Sequence, residues 1–425
     1  MSALAPYAGA WTVREAAHFL RRTGFGPTLP ELERATKDGF AATLARAFDP
    51  QPETAEFRSS EAALRKAAHV DNDIKRLQAW WLYRMRHGAN GLREKLALLW
   101  HNHFATGNGK VRSVEQMAEQ HDLIRTHAAG SFRDLLMGMA KDGAMLAWLD
   151  GDNNRKRHAN ENFAREIMEL FALGVGNYTE QDIQEAARAF TGWRLRDGRF
   201  WFDDTQHDTR PKTLFGKRGD YTGEHVVELC LTHPACPRFV ALKLLKGFVT
   251  DQPAAAEIDA AAAELQKSDL TIGPALKTLL GSELFFAKQG AMIKGPLDFV
   301  VGAWRTFGVR PNLEAADELL RDVGQSVFEP PTVKGWEGGR RWLSAATLLR
   351  RSQFAAETAF GDKYGRVGNA DDWKTATAAE LADRLLARRP EPAALARLDG
   401  LLKSGDDGRR DALHLALTMP ECQLM

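Results

Sequence analysis

The stretch Asn160-Glu161-Asn162-Phe163-Ala164-Arg165-Glu166-Ile167-Met168-Glu169-Leu170-Phe171-Ala172-Leu173, continuing through Thr179 to Trp193, decides the fold class. Phe163, Ile167, Leu170 and Phe171 recur at helical spacing and form one apolar face. Asn160 can cap the helix that begins at Glu161. Thr179 with Asp182 three positions on resembles a capping box, and Gly192 ends that second helix two residues after Phe190.

The same periodicity runs outward over 31–47, 59–87, 92–104 and 114–139, and again over 224–248, 254–266, 272–288, 293–307, 313–323 and 376–403. Strand signal is confined to Trp193–Phe202, where Asp197-Gly198 suits a tight turn. The expected fold is therefore mainly α: a multi-helix globular array of two packed helical subdomains, with long functional loops and at most one short hairpin. The loops are 203–223 and 324–345; irregular stretches of that length in a helical protein are often functional. Four regions follow. Residues 1–90 form an N-terminal helical region and 91–223 a central motif-bearing core. Residues 224–361 form a second helical region, and 362–425 a linker with C-terminal helices.

Composition narrows the function classes. The chain has 57 Lys and Arg against 56 Asp and Glu, a net charge of +1, so no overall field draws it to nucleic acid or to an anionic membrane. No stretch approaches the ~20 apolar residues of a membrane span, and the first residues lack the pattern of a secretion signal. These features read as a cytoplasmic chain. Cys230, Cys236 and Cys422 contain no CxxC pair, so a thiolate zinc site is not expected; Cys230 and Cys236 read as buried thiols, with one disulfide between them conceivable.

Eight of the twelve histidines fall between 101 and 233, among crowded carboxylates and amides. In Trp100-His101-Asn102-His103-Phe104, a helix continuing from Leu92 would turn the two histidines ~200° apart, whereas a helix ending near Asn102 would let them share a metal. Glu166 falls between Leu170 and Leu173 on the wheel, where a carboxylate is costly unless paired or metal-bound; Asn162 and Glu169 lie on the same side. Glu161–Arg165 and Arg165–Glu169 read more simply as solvated i, i+4 pairs. Asp150 to Glu161 has the spacing of a calcium loop, but Arg155 stands where glycine is needed, so an Asx-rich helix-capping turn is the better reading. His207-Asp208 with Lys212 lies in a long loop from which both side chains can reach a helix. Lys110, Arg133, Arg188 and Lys212 can supply positive charge. Trp336 and Trp342, in a Pro- and Gly-rich loop, can stack on a sugar or plug the loop onto the body.

No HExxH, GxSxG or GxGxxG signature is present, so no nucleotide cofactor is expected. WHNHFATGNGKV at 100–111, NENFAREIMELFALGVGNYTEQDIQEAARAFTGW at 160–193, HDTRPKTLFG at 207–216 and FEPPTVKGWEGGRRWLSAATLLRR at 328–351 resemble, in order, the blocks of the bacterial domain-of-unknown-function family 1800. AAHFLRRTGFGP at 16–27 is similar to its opening block and MPECQLM at 419–425 to its end. The resemblance implies a frequent gene neighbour from family 1501 as a partner, and export in many relatives. It supplies no reaction.

The leading expectation is a metal-assisted enzyme, a hydrolase by default. His101, His103, Glu166 and His207 would hold zinc, manganese or iron, and Glu169 or Asp208 would orient a histidine. Lys212 and Arg188 would clamp an anionic substrate. The alternatives are a non-catalytic partner or scaffold whose polar motifs form a hydrogen-bond network, and a metal-free enzyme acting on a saccharide or phosphate through Glu166 and His207.

Overall fold

The computed structural model describes residues 3–367 and 376–425. Helices dominate, as the periodicity predicts. Several expected single helices are pairs, and each break has a local cause. Asn72, left-handed at φ 46°, separates Ala55–Asp71 from Ile74–His87. Ser131 caps Phe132–Ala140 and parts it from Val114–His127. His233-Pro234 parts Gly223–Thr232 from Ala235–Phe248, because proline has no N–H to donate. Ser282 parts Ile272–Leu280 from Glu283–Ala287. The 376–403 segment is Ala378–Leu385 and Pro392–Lys403; residues 368–375 of the expected linker lie outside the described residues.

Three longer helices add to those expected. Val13–Thr23 carries a full capping box from Thr12 and Glu15. Ala345–Phe360 begins with exposed Leu348 and Leu349, which blur its apolar stripe. Gly405–Thr418 opens on a charged first turn.

The expected hairpin forms with Trp193 opposite Phe202. Asp197 at φ 52° and Gly198 at φ 74° supply the two left-handed residues that such a turn needs. The expectation of at most one hairpin is corrected by a second, Lys212–Leu214 with Lys217–Gly219. Its turn places Phe215 at φ 49° before Gly216. Phenylalanine is not a turn residue by local preference, and its ring lies 5.2 Å from that of His233, so a tertiary contact holds what the local sequence does not announce. Arg310-Pro311 also pairs with Gly365-Arg366.

One contiguous apolar core, from Leu4 and Phe19 to Leu417 and Cys422, runs through all four regions read from the sequence. Five tryptophans, Trp80, Trp81, Trp100, Trp193 and Trp304, are fully buried in it. Among the described residues no helix is long and apolar enough to cross a membrane.

Candidate functional site

The polar block 160–216 folds into a set of anchors. Asn160 caps Glu161–Glu166 through Phe163 N–H at 3.2 Å, and its amide also donates to the carbonyls of Leu149 and Asp150. The following residues, Ile167–Leu173, form a π-helix ended by Gly174 at φ 80°. Arg165 does not pair within its own helix; it grips Glu180 with two bonds of 2.8 and 2.6 Å. Asp182 accepts both Thr179 N–H and Phe215 N–H, at 2.9 and 2.7 Å. Glu185 accepts Thr213 N–H at 2.8 Å. Helix Glu180–Ala189 thus carries the loop that follows it.

The same holds for the loop residues expected to do chemistry. Asp208 is buried, and its carboxylate is shared by Arg210 at 2.6 Å and Arg188 at 2.9 Å; hydrogen bonds from both guanidinium groups hold it far below the usual carboxylate range. Lys212 is buried and donates to the Asp208 carbonyl at 2.6 Å. His207 Nδ1 donates to the Thr191 carbonyl at 2.7 Å. Lys110 is taken by Asp150 at 2.8 Å, and Arg133 by Glu228. No calcium-loop geometry appears at 150–161: Gly151–Asn153 is a short 3-10 turn, and Asn154 accepts Asn160 N–H.

The helix Gly91–His103 runs through both histidines of the WHNHF motif, so they point apart. His101 Nε2 accepts the N–H of Phe328 at 3.0 Å, and its ring sits against Trp81, Phe328 and Trp336. Burial pushes its pKa down to about 3. His103 Nε2 donates to the Phe171 carbonyl at 3.0 Å, among the rings of Trp100, Phe104 and Phe239; burial and the charge of Lys243 lower its pKa well below the ordinary value. Among the described residues no three His, Cys, Asp or Glu side chains gather where a metal ion could be held. The expected set His101, His103, Glu166 and His207 does not come together, because each histidine is committed to a different backbone group. The three cysteines are free and buried.

Glu166 is different. It is half-buried and its carboxylate makes no hydrogen bond among the described residues; burial first, then the neighbouring Glu169, raise its carboxyl pKa, while Lys334 and Arg165 pull it down. Glu169 accepts the hydroxyl of Tyr178. Lys334 belongs to the late loop, and that loop lines a large cleft.

This cleft, of about 830 Å³, is built from segments distant in sequence: Lys95–His103, Lys243–Gln252, Lys288–Asp298 and Lys334–Trp342. Asn102 docks the late loop onto the WHNHF helix. Its Oδ1 accepts Trp336 N–H at 2.6 Å and its amide donates to the Trp336 carbonyl at 3.2 Å. Gly335 permits this approach. It sits at φ 72°, and a Cβ there would lie 2.2 Å from Asn102 Oδ1. Trp336 is a plug, only 6% exposed, whereas Trp342 is half-buried and lines the cleft. The plug reading of this tryptophan pair thus describes Trp336, and Trp342 stands in the cleft wall.

Two buried arginines fix the cleft walls. Arg22 donates to the carbonyls of Phe248, Val249, Lys288 and Met425 at 3.0, 3.2, 3.0 and 2.6 Å. Burial, then repulsion from Arg21, lowers its pKa to about 9. Arg351 donates to Lys294 carbonyl at 2.8 Å and Gln423 Oε1 at 3.0 Å.

Six basic side chains line the cleft, Lys95, Lys243, Lys246, Lys288, Lys334 and Arg340, against three acids, Asp251, Asp298 and Glu337. Lys95 is paired with Asp298, Lys288 with Glu257 at 3.0 Å, and Glu337 with Arg341 at 2.8 Å. Lys243, Lys246, Lys334 and Arg340 form no ion pair among the described residues. Unpaired cations in a walled cleft focus a positive potential.

A family model described as "Protein of unknown function (DUF1800)" matches residues 18–424. The chain belongs to this family. The match contains both arginine struts of the DUF1800 cleft and every side chain named in it but Met425. No curated protein and no solved structure matches the chain. Sequence reasoning missed Asn102, Lys243, Lys246 and Arg22. Asn102 stood between two histidines that drew the metal reading, and the lysines looked like ordinary helix-surface charge. The Lys-Gly-Trp-Glu-Gly-Gly run at 334–339 was the available signal.

Proposed function

We propose that the cleft is the working site of this protein and that it binds an anionic saccharide, a sugar carrying a phosphate or carboxylate group, without need of a metal. The observation that carries this reading is the joining of four unpaired cations with a half-buried tryptophan in one walled space. Cations meet the charged group through charge-assisted hydrogen bonds. The face of Trp342 meets the apolar face of a sugar ring. Its indole nitrogen lies 3.7 Å from where a Cβ on Gly295 would stand, so glycine backbone borders that edge of the ring.

Glu166, although its carboxyl is raised by burial and lies within the influence of Lys334, is not one of the cleft's lining residues and is given no part in binding. The loop His207–Lys212 is assigned support of the central helices.

Titration calorimetry with glucose 6-phosphate, inorganic phosphate and glucose tests this. The order expected is sugar phosphate tightest, phosphate weaker, glucose undetectable at millimolar concentration. Lys243→Met/Lys246→Met should weaken the first two by at least about tenfold, roughly 1.4 kcal/mol. Trp342→Ala should bring sugar phosphate down to the level of phosphate. Glucose binding as tightly as its phosphate, or neither anion binding, overturns the proposal.

A further inference from the structure

Lys243 stands apart from the other cleft lysines. It lies on helix Ala235–Phe248, half-buried, with its ammonium 4.9 Å from the centre of the Phe239 ring. It forms no ion pair among the described residues, and its neighbours are Lys246 and the neutral, buried His103. The ring face favours the charged ammonium, but an amine half-buried in a cleft wall beside a second cation, with no carboxylate to hold its proton, is arranged as a nucleophile. The other lining lysines differ. Lys95 and Lys288 are tied up in ion pairs, and Lys246 and Lys334 are exposed to solvent.

We infer that Lys243 forms an imine with the open-chain carbonyl of the anionic sugar bound in the cleft, which rests on the ligand class proposed above. The neutral amine nitrogen attacks the carbonyl carbon, forming a C–N bond as the C=O π pair moves to oxygen. That oxygen takes a proton, the nitrogen loses one, and the resulting carbinolamine expels water to leave C=N. No oxidant, reductant or metal enters the step. Burial first, then Lys246, brings the pKa of Lys243 down to about 8, so a fraction of the amine is neutral near neutrality. Lys246, Lys334 and Arg340 remain to hold the phosphate or carboxylate.

The test uses the full chain with glyceraldehyde 3-phosphate as probe, trapped by sodium borohydride and read by intact mass and peptide mapping. The expected result is one reduced adduct per chain at Lys243. Labelling should fall at least about tenfold in Lys243→Arg, which keeps the charge but not the nucleophile, with circular dichroism showing the variant folded. Adducts spread over exposed lysines such as Lys246 and Lys334, with a total unchanged in Lys243→Arg, overturn the inference, as does no adduct. Calorimetry of the unmodified protein with glucose 6-phosphate reads the ligand class separately. Binding without an adduct sinks the imine alone. An adduct at Lys243 from neutral glyceraldehyde, without glucose 6-phosphate binding, sinks the anionic class alone.

Discussion

Asn102 and Trp336 exchange two hydrogen bonds, 2.6 Å from the Trp336 N–H to Oδ1 and 3.2 Å from the amide to the Trp336 carbonyl, across 234 positions of sequence. This side chain imitates a strand and carries the late loop onto the central helix. Asn102→Ala should cost about 2 kcal/mol, since it leaves Trp336 N–H buried and unmet. Urea unfolding measures that cost. The same variant should loosen the cleft and weaken its ligand; full stability with full binding would mean the loop is held elsewhere.

Acid should destabilise this protein early. His18, His101, His103 and His121 are buried, and burial lowers the pKa of each. The folded state keeps them neutral and the unfolded chain, with pKa near 6.5, does not. Their contribution is complete above about pH 6.5 and is lost as pH falls toward the folded values, about 3 for His101. Each group adds a slope of about 1.4 kcal/mol per pH unit inside its window. Asp142, pushed up to about 6 by burial, acts in the opposite sense, as do Glu166 and Asp251, whereas His87, lowered to about 4 by burial, and the lowered carboxyls of Glu31, Asp208 and Glu224 add to the loss in acid. Urea midpoints measured from pH 7.5 to 4.5 should fall steadily, and a flat profile would contradict the burial of these rings.

His121 has both ring nitrogens buried without a partner, between Trp80 and Trp81. Such a group loses its water and gains nothing in return. His121→Leu should therefore be neutral or stabilising by about 1 kcal/mol by urea unfolding. A loss of more than about 2 kcal/mol would show that the ring makes an interaction the geometry does not contain.

Asp208→Ala removes one carboxylate from two arginines and should cost about 3 kcal/mol, because Arg188 is left half-buried and short of a partner. Calorimetry should find ligand binding in the cleft intact. Lost binding at full stability would return the His207–Lys212 loop to the functional site.

The helical class, the capping box at Thr179 and the Asp197-Gly198 turn were legible because each rests on local chemistry. The Phe215-Gly216 hairpin was not, because phenylalanine has no local preference for the left-handed turn position it takes; its contacts there, with Asp182 and His233, are distant in sequence. Glu166 was found by its misfit on an apolar face, and it keeps that character. The His-rich pattern misled. His101, His103 and His207 are hydrogen-bonding struts to Phe328, Phe171 and Thr191, and spacing cannot tell a strut from a ligand. The cleft itself was illegible because its cations come from segments spread over more than two hundred positions, and no single window contains the convergence of Lys95, Lys243 and Lys334.

The central claim is that the cleft takes a charged sugar. Calorimetric titration of the wild-type chain with glucose 6-phosphate and with glucose, at one ionic strength, tests it most directly. The account predicts heat of binding for the phosphate alone, reduced at least about tenfold in Lys243→Met/Lys246→Met. Equal binding of both sugars, or binding of the phosphate that the double variant leaves unchanged, would contradict it.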